Sequence, residues 1–454
     1  MSIQAITTKI VSTLGNKESL VPIMIKDGVD SASLTYKSFK EGGSVEGTDR
    51  FIDEFGTQAI WIGGIPFYKK LIDKTAYKLA KINPEVDPRI IADKEYASWA
   101  KENAKGLMTN NKMQTVSQAI QDCLKDGGNK AKNLFKGKII AATALTLATF
   151  FLLTKTKQKN TKNTVIKEIK QKMDNPFNEI PTISEPEIFS DIADIAKNNE
   201  TKKNKKTQTF KGAAKSISEA IMFNPVHNMK LIDAGITTER LACSRNKTEF
   251  CEHAIKEGGF LFFIYGFGNL VEKGINKFSS KVLKKPIDLS IDVLMDEKLT
   301  EALSKGKIIS DAAKLPAKDK SLTEKLNFVL NNPDNIIVQA AKKSKIVSTV
   351  RDKSGNIFVD TSKYIDPKAI EELAENLTNL DKNFKISNEP VKKFLNKTKG
   401  LKVGSVMANI GISCFVLGYL IPKLVYKYRE MKTGTTKFHV AEDIKKNNRK
   451  DLNK

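Results

Sequence analysis

From Val403 to Pro422 the chain runs for 20 residues without a charge (VGSVMANIGISCFVLGYLIP), between Lys402 and Lys423. About 20 helical residues span about 30 Å, the hydrocarbon thickness of a bilayer. A second stretch, Ile139 to Thr154, has 16 uncharged residues between Lys138 and Lys155. Both are rich in small residues (Ala141, Ala142 and Ala144; Gly404, Ser405, Ala408 and Gly411), which let helices approach closely in lipid. These runs predict two membrane-spanning helices, with buried helices of a soluble bundle as the competing reading. Two shorter runs, Phe55–Tyr68 and Gly258–Val271, each hold 14 uncharged residues. That length fits core, re-entrant or interfacial segments better than spans. The pairs Gly63-Gly64 and Gly258-Gly259, with Pro66 beside the first, predict weakened or kinked helices.

Shifting the chain against itself by about 195 residues aligns the two short runs. Arg50, Glu54, Phe55, Ala59, Ile60, Gly63, Gly64 and Phe67 fall on Arg245, Glu249, Phe250, Ala254, Ile255, Gly258, Gly259 and Phe262. Leu71–Lys74 then resembles Leu270–Lys273. Upstream, Ile25–Val29 resembles Ile232–Ile236, and downstream Asp87-Pro88-Arg89 resembles Asp366-Pro367-Lys368. The order predicts an internal duplication. Residues 1–154 form the first half, with its apolar helix at 139–154. Residues 155–211 form a Lys-rich polar linker, with short helices expected at Val165–Met173 and Glu187–Lys197. Residues 212–432 form the second half, with its apolar helix at 403–422, and residues 433–454 a charged tail expected to fray. The second half also carries a β-hairpin insertion near 346–361, turning through Asp352–Asn356. Helical periodicity elsewhere, as in Thr323–Leu330 and Ile336–Lys343, makes the fold mostly α.

The net charge of +24 comes from 76 Lys and Arg against 52 Asp and Glu, but only seven of the bases are Arg: Arg50, Arg89, Arg240, Arg245, Arg351, Arg429 and Arg449. Arg grips phosphates and base edges with a fork that Lys lacks. With aromatic residues not interleaved among the Lys runs, a nucleic-acid partner is not favoured. Cys123, Cys243, Cys251 and Cys414 show no paired spacing, so free thiols are expected. The N-terminus lacks a basic region followed by an apolar run, so no signal peptide is expected.

Catalytic and cofactor motifs are missing. His253 has Glu249, Cys251 and Cys243 nearby in sequence, yet on a helix only Glu249 shares its face, so metal binding is not assigned. Glu41–Thr48 is Gly-rich without a phosphate-loop ending and is read as a loop; Asp126-Gly127-Gly128 is read as a helix stop. No catalytic, cofactor or metal residue is named, and no cofactor is expected. The reading is a non-enzymatic, duplicated integral membrane protein, an anchor, scaffold or adaptor at an anionic bilayer surface, possible as a homo-oligomer. The setting expected is a bacterial inner membrane, crossed several times, with both termini in the cytoplasm. Two alternatives are kept: a small-solute transporter or channel subunit built from two repeats, and a soluble basic helical protein that binds nucleic acid. Against transport, none of the four apolar runs carries an internal acid or base.

Overall fold

The structure is a computed structural model that describes residues 10, 12–15, 19–104, 108–109, 114–174, 225–351 and 357–452. It is mostly helical, with one two-stranded antiparallel sheet among the described residues. Ten helices build the part that matters here: α1 (Val21–Lys37), α2 (Ser44–Ala59), α3 (Ile65–Ile72), α4 (Asn129–Asp174), α5 (Pro225–Ala242), α6 (Lys247–Leu261), α7 (Phe267–Lys281), α8 (Val391–Phe415), α9 (Ile421–Thr433) and α10 (His439–Leu452). α2 continues into α3 through a π-helical turn at Ile60–Gly64, α6 into α7 through one at Phe262–Gly266, and α8 into α9 through one at Val416–Leu420.

Two of these π turns have a visible cause. Each is followed at once by Ile-Pro, Ile65-Pro66 and Ile421-Pro422. A proline inside a helix has no N–H to donate and its ring crowds the carbonyl four residues back; widening the preceding turn relieves both. The irregularity at Gly63-Gly64 takes the form of a π turn that ends at these glycines. In the second half Gly258 and Gly259 lie within α6, and the irregular turn comes one turn later, ending at Gly266.

The four apolar runs lie side by side in alternating directions. Tyr68 Oη meets Thr149 Oγ1 at 2.6 Å and Lys138 Nζ reaches Asp73 at 2.5 Å, so α3 runs antiparallel to α4. Ser413 Oγ donates to the Phe263 carbonyl (3.4 Å), and a Cβ on Gly259 would meet Ile421, so α6–α7 runs antiparallel to α8–α9. The remaining two helices cross between the halves. α1 follows α8–α9 in parallel, from the Lys26–Asn409 bond (3.0 Å) to Tyr426–Ser38 (2.9 Å). A Cβ at Gly418 would stand 2.8 Å from Val29 Cγ1, so only glycine permits this approach. α5 follows α4 in the same sense, from Gly235 against Leu147 to Gln158 Nε2 donating to the Cys243 carbonyl at 2.7 Å.

Three apolar cores result. The bundle core holds Ile23, Trp61, Phe150, Ile232, Ile264, Leu417 and Ile421. A larger one joins segments from 77–131 and 289–395, including Tyr96, Trp99, Ile120, Leu377 and Phe394. Within it the helices Leu322–Asn331 and Ile336–Lys343 fall where periodicity placed them. The expected hairpin is present as β1 (Thr349–Arg351) and β2 (Ile357–Val359), paired Thr349 to Val359; its turn lies outside the described residues.

Several expectations change. α4 continues unbroken to Asp174, so 155–174 is helix rather than linker and no separate helix starts at Val165. No glycine or proline occurs between Gly137 and Pro176 to stop it. The rest of the linker, with the helix expected at 187–197, lies outside the described residues. The described part of the tail is docked: Phe438, just before α10, and Val440 and Ala441 of α10 pack against Val165 of α4, forming the third core. Three apolar residues in an otherwise charged segment suffice to dock it. Glu41–Thr48 is also not a loop. A π turn at Ser38–Gly42 is joined to α2 by the single residue Gly43, whose φ of +88° suits glycine alone. Asp126 and Gly127 do stop a helix, both with positive φ.

Phe394 is fully buried in the large core, edge-on to Phe384 (5.4 Å) and beneath the Lys285 ammonium (4.5 Å). Phe394→Ala should cost about 3–5 kcal/mol, read as a lower melting midpoint of the whole chain, while Phe358→Ala at an exposed hairpin position should leave the midpoint unchanged.

Candidate functional site: a buried layer of charge

α2 and α6 bury their charged faces. On α2 these are Glu46, Asp49, Arg50, Asp53 and Glu54; on α6 they are Glu249, Glu252, His253, Lys256 and Glu257. Both sets have the spacing i, i+3, i+4, i+7, i+8, the single face of a helix. Apolar residues point the other way, with Phe51 51% and Phe250 45% exposed. This inverts the usual pattern of a water-soluble bundle. The two sets are 203 residues apart, not the 195 of the sequence alignment, so that alignment does not bring them into register. Arg245, which the sequence alignment set opposite Arg50, instead lies just before α6, whose N-cap is Asn246.

Arg429 of α9 sits at the centre and is wholly buried. Its Nη1 and Nη2 each donate to Glu46 at 2.7 Å, while Nε and Nη2 donate to Glu252 at 2.7 and 2.8 Å. Tyr426 donates to the same Glu46 at 2.9 Å. Arg50 lies 3.4 Å from Glu252 and 3.3 Å from His253 Nε2. Arg245 forks onto Asp49 (3.0 and 3.1 Å) and Glu249 (2.6 Å). Lys157 of α4 pairs with Asp53 at 3.3 Å. Lys256 holds both oxygens of Glu54 at 2.7 and 2.8 Å, and Arg240 of α5 bonds Glu257 and lies 3.5 Å from Asp53. Five elements from both halves are thus tied in one layer. Four of the chain's seven arginines are in it.

The layer fixes the ionisation of its members. Burial alone would raise the Glu249 carboxyl, but Arg245 holds it well below the usual carboxylate range. His253 is pushed down to about 4, first by burial and then by the Arg50 guanidinium. The imidazole contacts Ser244 Oγ (3.2 Å) and the Arg240 carbonyl (3.1 Å) through Nδ1. Neither Cys243 nor Cys251 approaches it as a ligand, and among the described residues no group of three His, Cys, Asp or Glu is placed to hold a metal.

The bundle interior beyond this layer is also charged. Asp27 and Asp30 of α1 and Asp233 of α5 face a small space lined by Glu54, Trp61, Arg240, Lys256 and Glu257, or lie beside it. Asp30 is 1% exposed, and neither of its oxygens has a hydrogen-bond partner; the nearest cation, Lys256 Nζ, is 4.0 Å away. The four apolar runs lack internal acids and bases, but α1 and α5 supply them to the same interior. These charges become interior through packing, since α1 and α5 lie outside the four apolar runs. A larger cavity of about 170 Å³ lies among α1, α5, α7 and α8. No protein-family model, no curated protein and no solved structure matches the chain.

Arg429→Met strands two buried carboxylates and should cost about 3–5 kcal/mol, seen as a fall in melting midpoint that Glu46→Gln and Glu252→Gln in the same chain largely reverse. Acid should also loosen the layer. Unfolded histidine takes a proton below about 6.5, whereas folded His253 stays neutral down to about 4. The unfolded state then binds more protons, so stability present above pH 6.5 is lost as pH falls through this window. The slope of melting midpoint against pH between 6.5 and 4 should shrink in His253→Asn.

Proposed function

We propose that this chain is an integral membrane protein whose two related halves enclose a path for a small solute. The observation that carries the reading is the inverted polarity of α2 and α6, charge inward and phenylalanine outward. Two further features support it. Two helical regions, 116–171 and 391–433, are long and apolar enough to cross a bilayer, and only 28% and 22% of their most apolar stretches are buried. Outward-facing Ile62, Phe67, Ile140, Leu152, Phe262 and Phe415 continue this apolar surface around the bundle.

In this reading the spans are 55–68, 139–154, 258–271 and 403–422, flanked by α1 and α5. The charge layer lies at one boundary and the large core beyond the other. The segment before α1 then lies toward the large core, with Ser12 bonded to Asp292, whereas α10 lies against the charge layer, with His439 3.6 Å from Glu252, so the two do not share a side. The alternating chain directions and the exchange of α1 and α5 between halves fit a duplication with a solute site at its interface. A bundle that only anchors has no need of buried ions, since well-packed apolar residues hold helices together at least as well. Intramembrane acids and bases such as Lys26, Asp30 and Asp233 instead mark a route for charge or polar solute. The layer at Arg429 closes that route at one end.

The protein should resist alkaline carbonate and be released by detergent. In liposomes it should accelerate exchange of at least one of radiolabelled acetate, phosphate, alanine or rubidium over protein-free vesicles. Carbonate resistance with no accelerated exchange would leave the anchoring role; release by carbonate would sink both.

A further inference from the structure

We propose that the cavity among α1, α5, α7 and α8 is a binding site for a small oxyanion, a phosphate or carboxylate group. The inference rests on the transport reading only for its purpose and names the solute class. Among the described residues its lining includes three lysines, Lys26, Lys230 and Lys402, with Ser19, Ser405 and Asn409, and no Asp or Glu. Lys26 carries the argument. It is 4% exposed, and its ammonium donates only to the neutral Asn409 Oδ1 at 3.0 Å.

The contrast with six other buried bases of the bundle is sharp. Arg50, Arg240, Arg245, Arg429, Lys157 and Lys256 each have a carboxylate within ion-pair distance. Lys26 forms no ion pair among the described residues. A buried charge without a counter-ion is unfavourable, and an anion in the adjoining space would supply one. Lys230, half-buried, reaches the same space and sits 5.5 Å from the centre of the Tyr265 ring. It too forms no ion pair among the described residues. A compact ammonium acts on an oxyanion as a point charge, so the site selects for charge and size more than for shape. About 170 Å³ is the size of a small solute or a single headgroup.

The position adds to the chemistry. α1 and α8 come from different halves, as do α1 and α5, so the cavity lies at the interface where two-repeat carriers hold their solutes. The charge layer stands beyond it, so an anion entering here meets a closed end.

The test uses the full chain in detergent, without a bilayer, so that its failure is separable from failure of transport. Sodium chloride is replaced by sodium phosphate or sodium acetate at constant ionic strength while the melting midpoint is followed. Either anion should raise the midpoint saturably in the wild type. In Lys26→Met and Lys230→Met the half-saturating concentration should rise at least about 10-fold, and in Lys305→Met, an exposed position of the other core, it should not move. If Lys26→Met fails to fold, Lys230→Met alone decides. A second arm identifies the source: native mass spectrometry of wild type carrying phosphatidylglycerol, lost in Lys230→Met and with no response to free anions, assigns a lipid headgroup. No midpoint shift and no retained anionic lipid would overturn the proposal, as would shifts and lipid retention that are unchanged in both lysine variants.

Discussion

Arg429 placed between Glu46 and Glu252 is the interaction on which the rest depends. Its guanidinium offers donors in a plane that two carboxylates can share, and here each carboxylate takes two of its contacts. Glu46 belongs to the first half, Glu252 to the second and Arg429 to the last long helix, so a single side chain sets the distance among three elements. The desolvation of three ions is unfavourable on its own. It is offset only because the neighbours are also in register: Arg50 on Glu252, Tyr426 on Glu46, and Arg245 on Asp49. The helices therefore cannot slide singly. A shift of one turn in α9 would strand several charges at once, which makes this layer a device for position as much as for stability.

Much of the architecture was legible in the chain. The long apolar run at 403–422, the Gly63-Gly64 pair beside Pro66 and the hairpin around Asp352–Asn356 rest on local rules of length, backbone freedom and alternation. The charge layer was not read, for a reason that particular residues show. Glu46, Asp49, Arg50, Asp53 and Glu54 look like the solvent face of a helix when water is assumed to be the surroundings. Their burial follows from Phe51 and its neighbours facing outward, and nothing in one helix says which face the rest of the protein will cover. A signal was nonetheless present. In a chain that writes nearly all its positive charges as Lys, three of seven arginines fall on these helices and a fourth, Arg245, just before one, where a fork rather than a point charge is needed.

The tail shows the opposite failure. Residues after Thr433 are so charged that local composition predicts fraying, yet Phe438 and Val440 find Val165 on a helix nearly 300 positions earlier in sequence. Composition averages over a segment, whereas docking needs only a few apolar contacts at the right spacing. The extent of α4 has the same lesson in reverse: its polar second half stays helical because nothing breaks it and because α10 leans on it.

The π turn at Val416–Leu420 has a consequence for how α8 and α9 divide their work. Each residue of an α-helix advances the facing direction by about 100°. Over the 20 positions from Asn409 to Arg429 an uninterrupted helix would turn the two side chains about 200° apart, one toward the cavity and the other toward the outside. A π turn holds one residue more than the α-helical ladder requires, and so takes back about 100° of that rotation. Both residues can then face the same interior from a single continuous rod. The π turn thereby aims the whole of α9, and with it Arg429, at the layer that joins α2 and α6.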